Sequence, residues 1–201
     1  MGSEMCIRDR ACTLLWENKF IHIIRAYVCR VHDFFEEALT SMVQAYNLGA
    51  HSNGSLLLLA WLYMQHGNSI RSVELCDIVL RRNPDFIYAH NSKIFFLTEQ
   101  RNWARAKKYA KNNISNLLYD AATYMLLGDI YCYFCKKVKA LEYYNKAYNY
   151  SYGLELNGEM IHQKLGLIHT ELDNREQAVY HFKKAMSFGN SPLPILSLIH
   201  I

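Results

Sequence analysis

Cys132 and Cys135 stand with two residues between them, a spacing with which thiolates grip zinc or exchange disulfides. Zinc takes four ligands, commonly from two such pairs or from one Cys pair and one His pair, and no second pair occurs in the chain. A redox role calls for a strand–helix–strand setting, which the flanking residues lack. His162 and His169, seven apart, share one helical face and could hold a metal with a third ligand. A run of cations, Arg101, Arg105, Lys107, Lys108, Lys111, Lys136, Lys137 and Lys139, is interleaved with Trp103 and Tyr109. That mixture suits a nucleic-acid backbone and its bases. The Gly-rich phosphate loop, His-Glu-x-x-His and the serine elbow are missing from the sequence, and no nucleophile–base pair suggests itself. The expectation is a non-enzyme, with no catalytic, cofactor-binding or metal residue assigned.

The elements that position these residues follow from composition first. Apolar residues make up 51% of the 201 and charged residues 20%, which excludes a disordered chain. Nine Gly and three Pro favour continuous helix over a sheet with many turns. A net charge of +4 is too mild to argue for nucleic acid. No apolar run is long enough to span a membrane, and the first residues carry no charged-then-apolar signal pattern. The six cysteines, at positions 6, 12, 29, 76, 132 and 135, do not form a disulfide framework, so reduced thiols in the cytoplasm are expected. The Asn-x-Ser/Thr triplets at Asn53, Asn113 and Asn149 are expected to be fortuitous.

A period organises the chain. Ala38, Ser72, Ala106, Ala140 and Ala178 are separated by 34, 34, 34 and 38 residues. Twelve residues before them stand Ala26, Ala60, Ile94, Gly128 and Gly166; seven after stand Ala45, Val79, Asn113, Ala147 and Ala185. Two helices approach closely only where no bulky side chain separates them, and overpacking such a contact costs about 1–3 kcal/mol.

With Leu59, Ala60, Tyr63, Gly67, Ser72 and Pro84 in one unit, and Tyr124, Leu127, Gly128, Tyr131, Ala140, Tyr144 and Ala147 in another, the spacing resembles the tetratricopeptide repeat, whose period is 34. A later unit repeats it with Leu165, Gly166, Ala178, Phe182 and Ala185. The resemblance implies an all-α fold, a right-handed α-solenoid of about five helix-turn-helix hairpins over 19–52, 53–86, 87–120, 121–158 and 159–192. Lys93, Ile94 and Asn113 depart from the pattern, and a shift of two would put Ser92 in the small slot. His22 and Arg25 occupy positions usually apolar, and extra residues in 152–158 lengthen one loop. The resemblance makes His162 and His169 packing residues, Cys132 a wall residue and Cys135 a turn residue.

The resemblance also implies a concave wall built from the first helix of each hairpin. Its partner-binding positions carry over to Phe20, Ile23, Tyr27, Leu57, Trp61, Met64, Tyr88, Asn91, Phe95, Met125, Asp129, Tyr133, Gln163 and Leu167. Arg30, Val31, Gly54, Gln65, Thr98, Glu99, Ala122, Cys132, Met160, Thr170 and Glu171 extend it. Aromatic residues and Met are enriched at interface cores, so a protein partner, a peptide segment or helix of a complex subunit, is expected. The inward cations of the members that clamp acidic chaperone tails are absent, with Ile23, Leu57, Asn91, Met125 and Gln163 at the relevant positions. The function implied is a protein–protein interaction scaffold within a larger intracellular complex. An RNA-associated repeat using the basic ridge and a regulatory repeat region of a multidomain enzyme are the alternatives. Nucleic acid is disfavoured because second helices normally turn a charged face to solvent.

Both ends, residues 1–10 and 193–201, resemble translated sequencing-adaptor sequence. The expectation is therefore a fragment, with a non-native leader and a remnant of a preceding repeat in 1–18 and a non-native tail in 193–201. Val179, Phe182, Met186 and Phe188 form an apolar face in the last helix with no capping helix after it, so self-association through uncapped ends is a further expectation.

Overall fold

A computed structural model of the chain describes residues 18–151 and 158–188. The expectations for 1–17, for 152–157 and for the tail from 189 onward lie outside the described residues. Ten helices and no strand occur among the described residues. They are α1 (Lys19–Val31), α2 (Phe35–Asn47), α3 (Asn53–Gln65), α4 (Ser69–Arg82), α5 (Ile87–Glu99), α6 (Trp103–Ser115), α7 (Ala121–Tyr133), α8 (Lys137–Ser151), α9 (Gly158–Glu171) and α10 (Arg175–Phe188).

Local chemistry starts and stops these helices. The side chains of Asn18, Ser52 and Asn68 accept from the first free amides of α1, α3 and α4, which relieves orphan donors. Asp120 and Thr123 close a reciprocal capping box on α7, at 3.0 and 3.2 Å. After the first helix of each successive pair the chain turns through a left-handed residue: Asp33, Gly67, Arg101, Cys135 and Asp173, with φ between 54° and 76°. These five residues recur at intervals of 34, 34, 34 and 38, so the backbone conformation carries the same period as the small residues. At four of the turns the following amide reaches back to a carbonyl five residues earlier, Phe34 to Cys29, Asn68 to Tyr63, Lys136 to Tyr131 and Asn174 to His169, at 2.8–2.9 Å. This is the Schellman closure of a helix end.

The chain divides into two compact units, one ending at Gln100 and the other starting at Arg101. The division falls between α5 and α6, inside the stretch 87–120. In the first unit each helix packs on the next from α1 to α5, and α3 also meets α5. Ala26, Ala38, Ala45, Ala60 and Ser72 are fully buried where the helices approach, and Met42, Leu56, Leu62, Leu75, Cys76 and Phe96 fill the core around them. Ile94 is fully buried while Ser92 stays partly exposed. The unshifted register therefore holds at α5, and a large side chain occupies the slot expected to be small. His22 is buried in α1, whereas Arg25 is exposed.

In the second unit, packing again runs from each helix to the next, α6 to α10. Here the close approach is glycine against an aromatic ring. A Cβ on Gly166 would lie 2.6–2.9 Å from the Phe182 ring, and one on Gly128 would collide with the ring of Tyr144. Asn113, in the slot expected to hold Ala, is buried with its side-chain amide nitrogen unpartnered. These neighbour-to-neighbour helix pairs are the architecture of an all-α helical repeat.

Candidate partner-binding face

In the first unit the candidate residues lie on α1, α3 and α5, the first helix of each successive pair. Phe20 and Tyr88 are 62% and 65% exposed, and Tyr27 is exposed as well. Ile23, Leu57, Trp61, Met64 and Phe95 are half-buried, each with one side packed on the core. Asn91 is buried. The face has a hub that the sequence pattern did not single out. The Arg30 guanidinium lies 5.7 Å from the ring centres of both Tyr27 and Trp61, joining α1 to α3 through cation–π contacts. Trp61 in turn meets Phe35 edge-on at 5.6 Å. The Arg30 Nε is shielded and has no hydrogen-bond partner. Arg30 was placed on the wall by its position, but its contact with Trp61 depends on a neighbouring helix and leaves no signal within one repeat.

The second unit treats the same positions differently. Met125 is only 6% exposed. Asp129 is engaged from two sides: the Tyr144 hydroxyl donates to its Oδ1 at 2.6 Å and Lys164 of α9 meets the same oxygen at 2.8 Å. Burial, reinforced by the Asp129 charge, pushes the Tyr144 hydroxyl pKa far up, so Tyr144 stays a donor. Tyr133 stacks on Trp103 at 4.1 Å, and Gln163 donates to Glu159 at 3.0 Å. Leu167 is exposed on α9.

The other candidate groups also have definite places. Cys135 is the exposed left-handed turn residue. Cys132 is half-buried, its Sγ 3.5 Å from the Tyr144 oxygen, and burial pushes its thiol pKa up. Burial likewise pushes Cys76 up to about 12. A thiol held protonated is a poor nucleophile and ligand. His162 and His169 do share a site, with a third member, His181 of α10, that sequence reading missed. His162 Nδ1 and His181 Nδ1 are 2.9 Å apart, and the His169 ring stacks on His181 at 5.5 Å. Burial lowers all three pKa values, and the other two rings help bring His181 down to about 4. No cluster suited to holding a metal occurs among the described residues. No helix among them is long and apolar enough to cross a membrane.

This fold is that of tetratricopeptide-repeat proteins. A tetratricopeptide-repeat protein from Parabacteroides merdae superposes with a TM-score of 0.78 at 21% identity, covering 90% of this chain and 70% of that one. A thermophilic protein of the same repeat class from Thermus thermophilus gives 0.74 at 14% identity, covering 90% and 96%. MamA from Desulfovibrio magneticus gives 0.57 at 23% identity, covering 85% and 94%. No protein-family model matches the sequence, and no curated relative does.

Proposed function

We propose that the chain is a protein-interaction scaffold whose partner segment lies across the aromatic face of the first unit. The observation that carries this reading is the pairing of Arg30 with Tyr27 and Trp61, beside Leu57 and Met64. Aromatic rings, Met and Arg are the side chains that dominate binding energy at interface centres. Arg30, Leu57, Trp61 and Met64 are half-buried, so the core already orders them and less conformational freedom is lost when a partner covers them. The occupant is a peptide segment or helix of another protein, and the scaffold is non-catalytic. A subunit of a larger assembly in the cytoplasm, where the buried thiol of Cys76 and the half-buried Cys132 stay reduced, fits this best.

The test is selection of short peptides from a displayed library against the whole chain. Selected peptides should lose at least about tenfold in affinity, about 1.4 kcal/mol, on Tyr27→Ser or Trp61→Ala. Tyr133→Ser in the second unit should leave them bound. Peptides indifferent to Tyr27 and Trp61 would place the docking surface elsewhere.

A further inference from the structure

The second unit gathers positive charge at one point. Lys107 and Lys111 of α6 and Lys139 of α8 hold their ammonium groups 5.9, 5.9 and 6.0 Å from the ring centre of Tyr131 on α7. No two of the three nitrogens can therefore lie further apart than twice that distance. Lys107 also sits 4.6 Å over the Phe134 ring. Three like charges brought this close repel one another, and among the described residues none of them pairs with a carboxylate. Six of the seven described acids of this unit are engaged with other groups: Asp129 with Lys164, Glu142 with Lys146, Glu171 with Lys137, Asp173 with Arg175, Glu159 with Gln163, and Asp120 in the cap of α7; Lys139 also adds to the pull on Glu142. The concentration of charge acts on Tyr131 itself. Burial alone would raise its hydroxyl pKa, yet Lys111, Lys107 and Lys139 together lower it.

We propose that Lys107, Lys111 and Lys139 form a docking cradle for an acidic, Asp/Glu-rich segment of a partner protein. The rings fix the lysine stems through cation–π contact, so the ammoniums are ordered before the partner arrives. An incoming run of carboxylates supplies counter-charge at the three ammonium groups and relieves their mutual repulsion. A single-stranded nucleic acid would also bring negative charge, but it gains affinity by stacking bases on open rings. Here the ring at the centre of the cradle is covered, and the half-exposed Tyr133 has one face on Trp103. Tyr131 is 5% exposed and lies parallel to Tyr143 at 5.1 Å, while Trp103 is stacked on Tyr133. The cradle shares no residue with the aromatic face of the first unit and stands or falls without it.

The experiment titrates the whole chain into a fluorescein-labelled deca-glutamate peptide and, in parallel, into a labelled oligo-uridylate of equal charge. Anisotropy is read at low ionic strength and at about 0.15 M salt, where exposed charges are screened beyond roughly 8 Å. The glutamate peptide should bind and weaken with salt. Lys107→Gln with Lys111→Gln should cost at least about tenfold, a 1.4 kcal/mol change, and Lys139→Gln alone several-fold. Lys108→Gln with Lys183→Gln removes the same charge from exposed sites outside the cradle and should change affinity less than about twofold. Unaltered thermal melting of each variant confirms that the fold persists; should the double variant melt early, Lys139→Gln, on a different helix, carries the test. Absent binding of the glutamate peptide, equal losses from the control pair, or tighter binding of oligo-uridylate through the same lysines would each overturn the proposal.

Discussion

Position nine of the first helix carries Trp61 in the first unit and Asp129 in the second, and the two units build opposite surfaces around them. Trp61 is ringed by Arg30, Tyr27 and Phe35, with apolar area still open to solvent. Burial of such area yields about 25 cal/mol per Å², and it remains to be gained. Asp129 already holds Tyr144 and Lys164. A partner arriving there would have to replace hydrogen bonds that are already made, for little net return. One repeat geometry thus leaves half-buried apolar side chains at one end of its sequence and ties its own helices together through polar contacts at the other.

The two units also differ in what they bury, and acid offers the largest test of that difference. His162 and His169 of the second unit each meet His181, with Lys184 adding a repelling charge to His162 and the rings of Tyr148 and Phe188 packed on His162. An unfolded histidine titrates near 6.5, whereas His181 is held down to about 4 in the fold. Between those values the unfolded chain binds more protons than the folded one, so stability must fall as pH drops. The contribution is complete above about pH 6.5 and is lost progressively toward pH 4. Roughly 2–3 kcal/mol is expected from His181 over that window. Urea unfolding at pH 7 and pH 4.5 measures it, and His181→Phe should flatten the dependence. An unchanged pH slope in that variant would show that the cluster does not control acid stability.

The close helix contacts sharpen the comparison at a smaller scale. The first unit puts Ala60 where the second puts Gly128. Gly128→Ala should destabilise by about 2 kcal/mol, because overpacking against the Tyr144 ring outweighs the better helix propensity of Ala. Tyr144 cannot swing aside without breaking its bond to Asp129. Ala60→Gly should cost about 1 kcal/mol for a different reason, the added freedom of the unfolded chain. Chemical denaturation of the two variants distinguishes these mechanisms, since adding Tyr144→Leu should recover part of the first loss. A stability gain in Gly128→Ala would mean that the ring does not fill the socket.

Features that repeat along the chain were legible in the sequence, and features made by neighbouring helices were not. The interval of 34 residues located the small side chains and the helix pairs, because each reflects a local backbone requirement. The choice between Ile94 and Ser92 at α5 was not legible, since either side chain fits a helix and only the surrounding core decides that Ile94 goes inside. The sequence proposed positions for the candidate face, and the contacts those side chains make could not be read from it. Nothing within one repeat says that Asp129 meets a lysine 35 residues later, that Arg30 reaches Trp61, or that His181 completes a trio. Lys107, Lys111 and Lys139 read as a charged outer face until Tyr131 brings them to one point. Asn113 shows the opposite case: the pattern asked for Ala, and the buried, unpartnered amide nitrogen explains why Ala is preferred there.

The turns give the smallest and cleanest contrast. Gly67 and Cys135 occupy the same place in their hairpins, at φ 76° and 54°. That left-handed region is free to glycine and costs other residues roughly 1 kcal/mol or more. A Cβ at Gly67 would touch nothing within 4 Å, so Gly67→Ala tests the backbone alone and should lose about 1 kcal/mol. Cys135→Gly should gain a similar amount, reduced by the larger entropy of the unfolded glycine. Both are read as shifts in urea midpoint at constant slope. Opposite signs at the two turns would show that the Cys135 turn carries strain which the Gly67 turn has shed. A loss in both variants would instead mean that the Cys135 side chain contributes a contact worth more than its backbone strain.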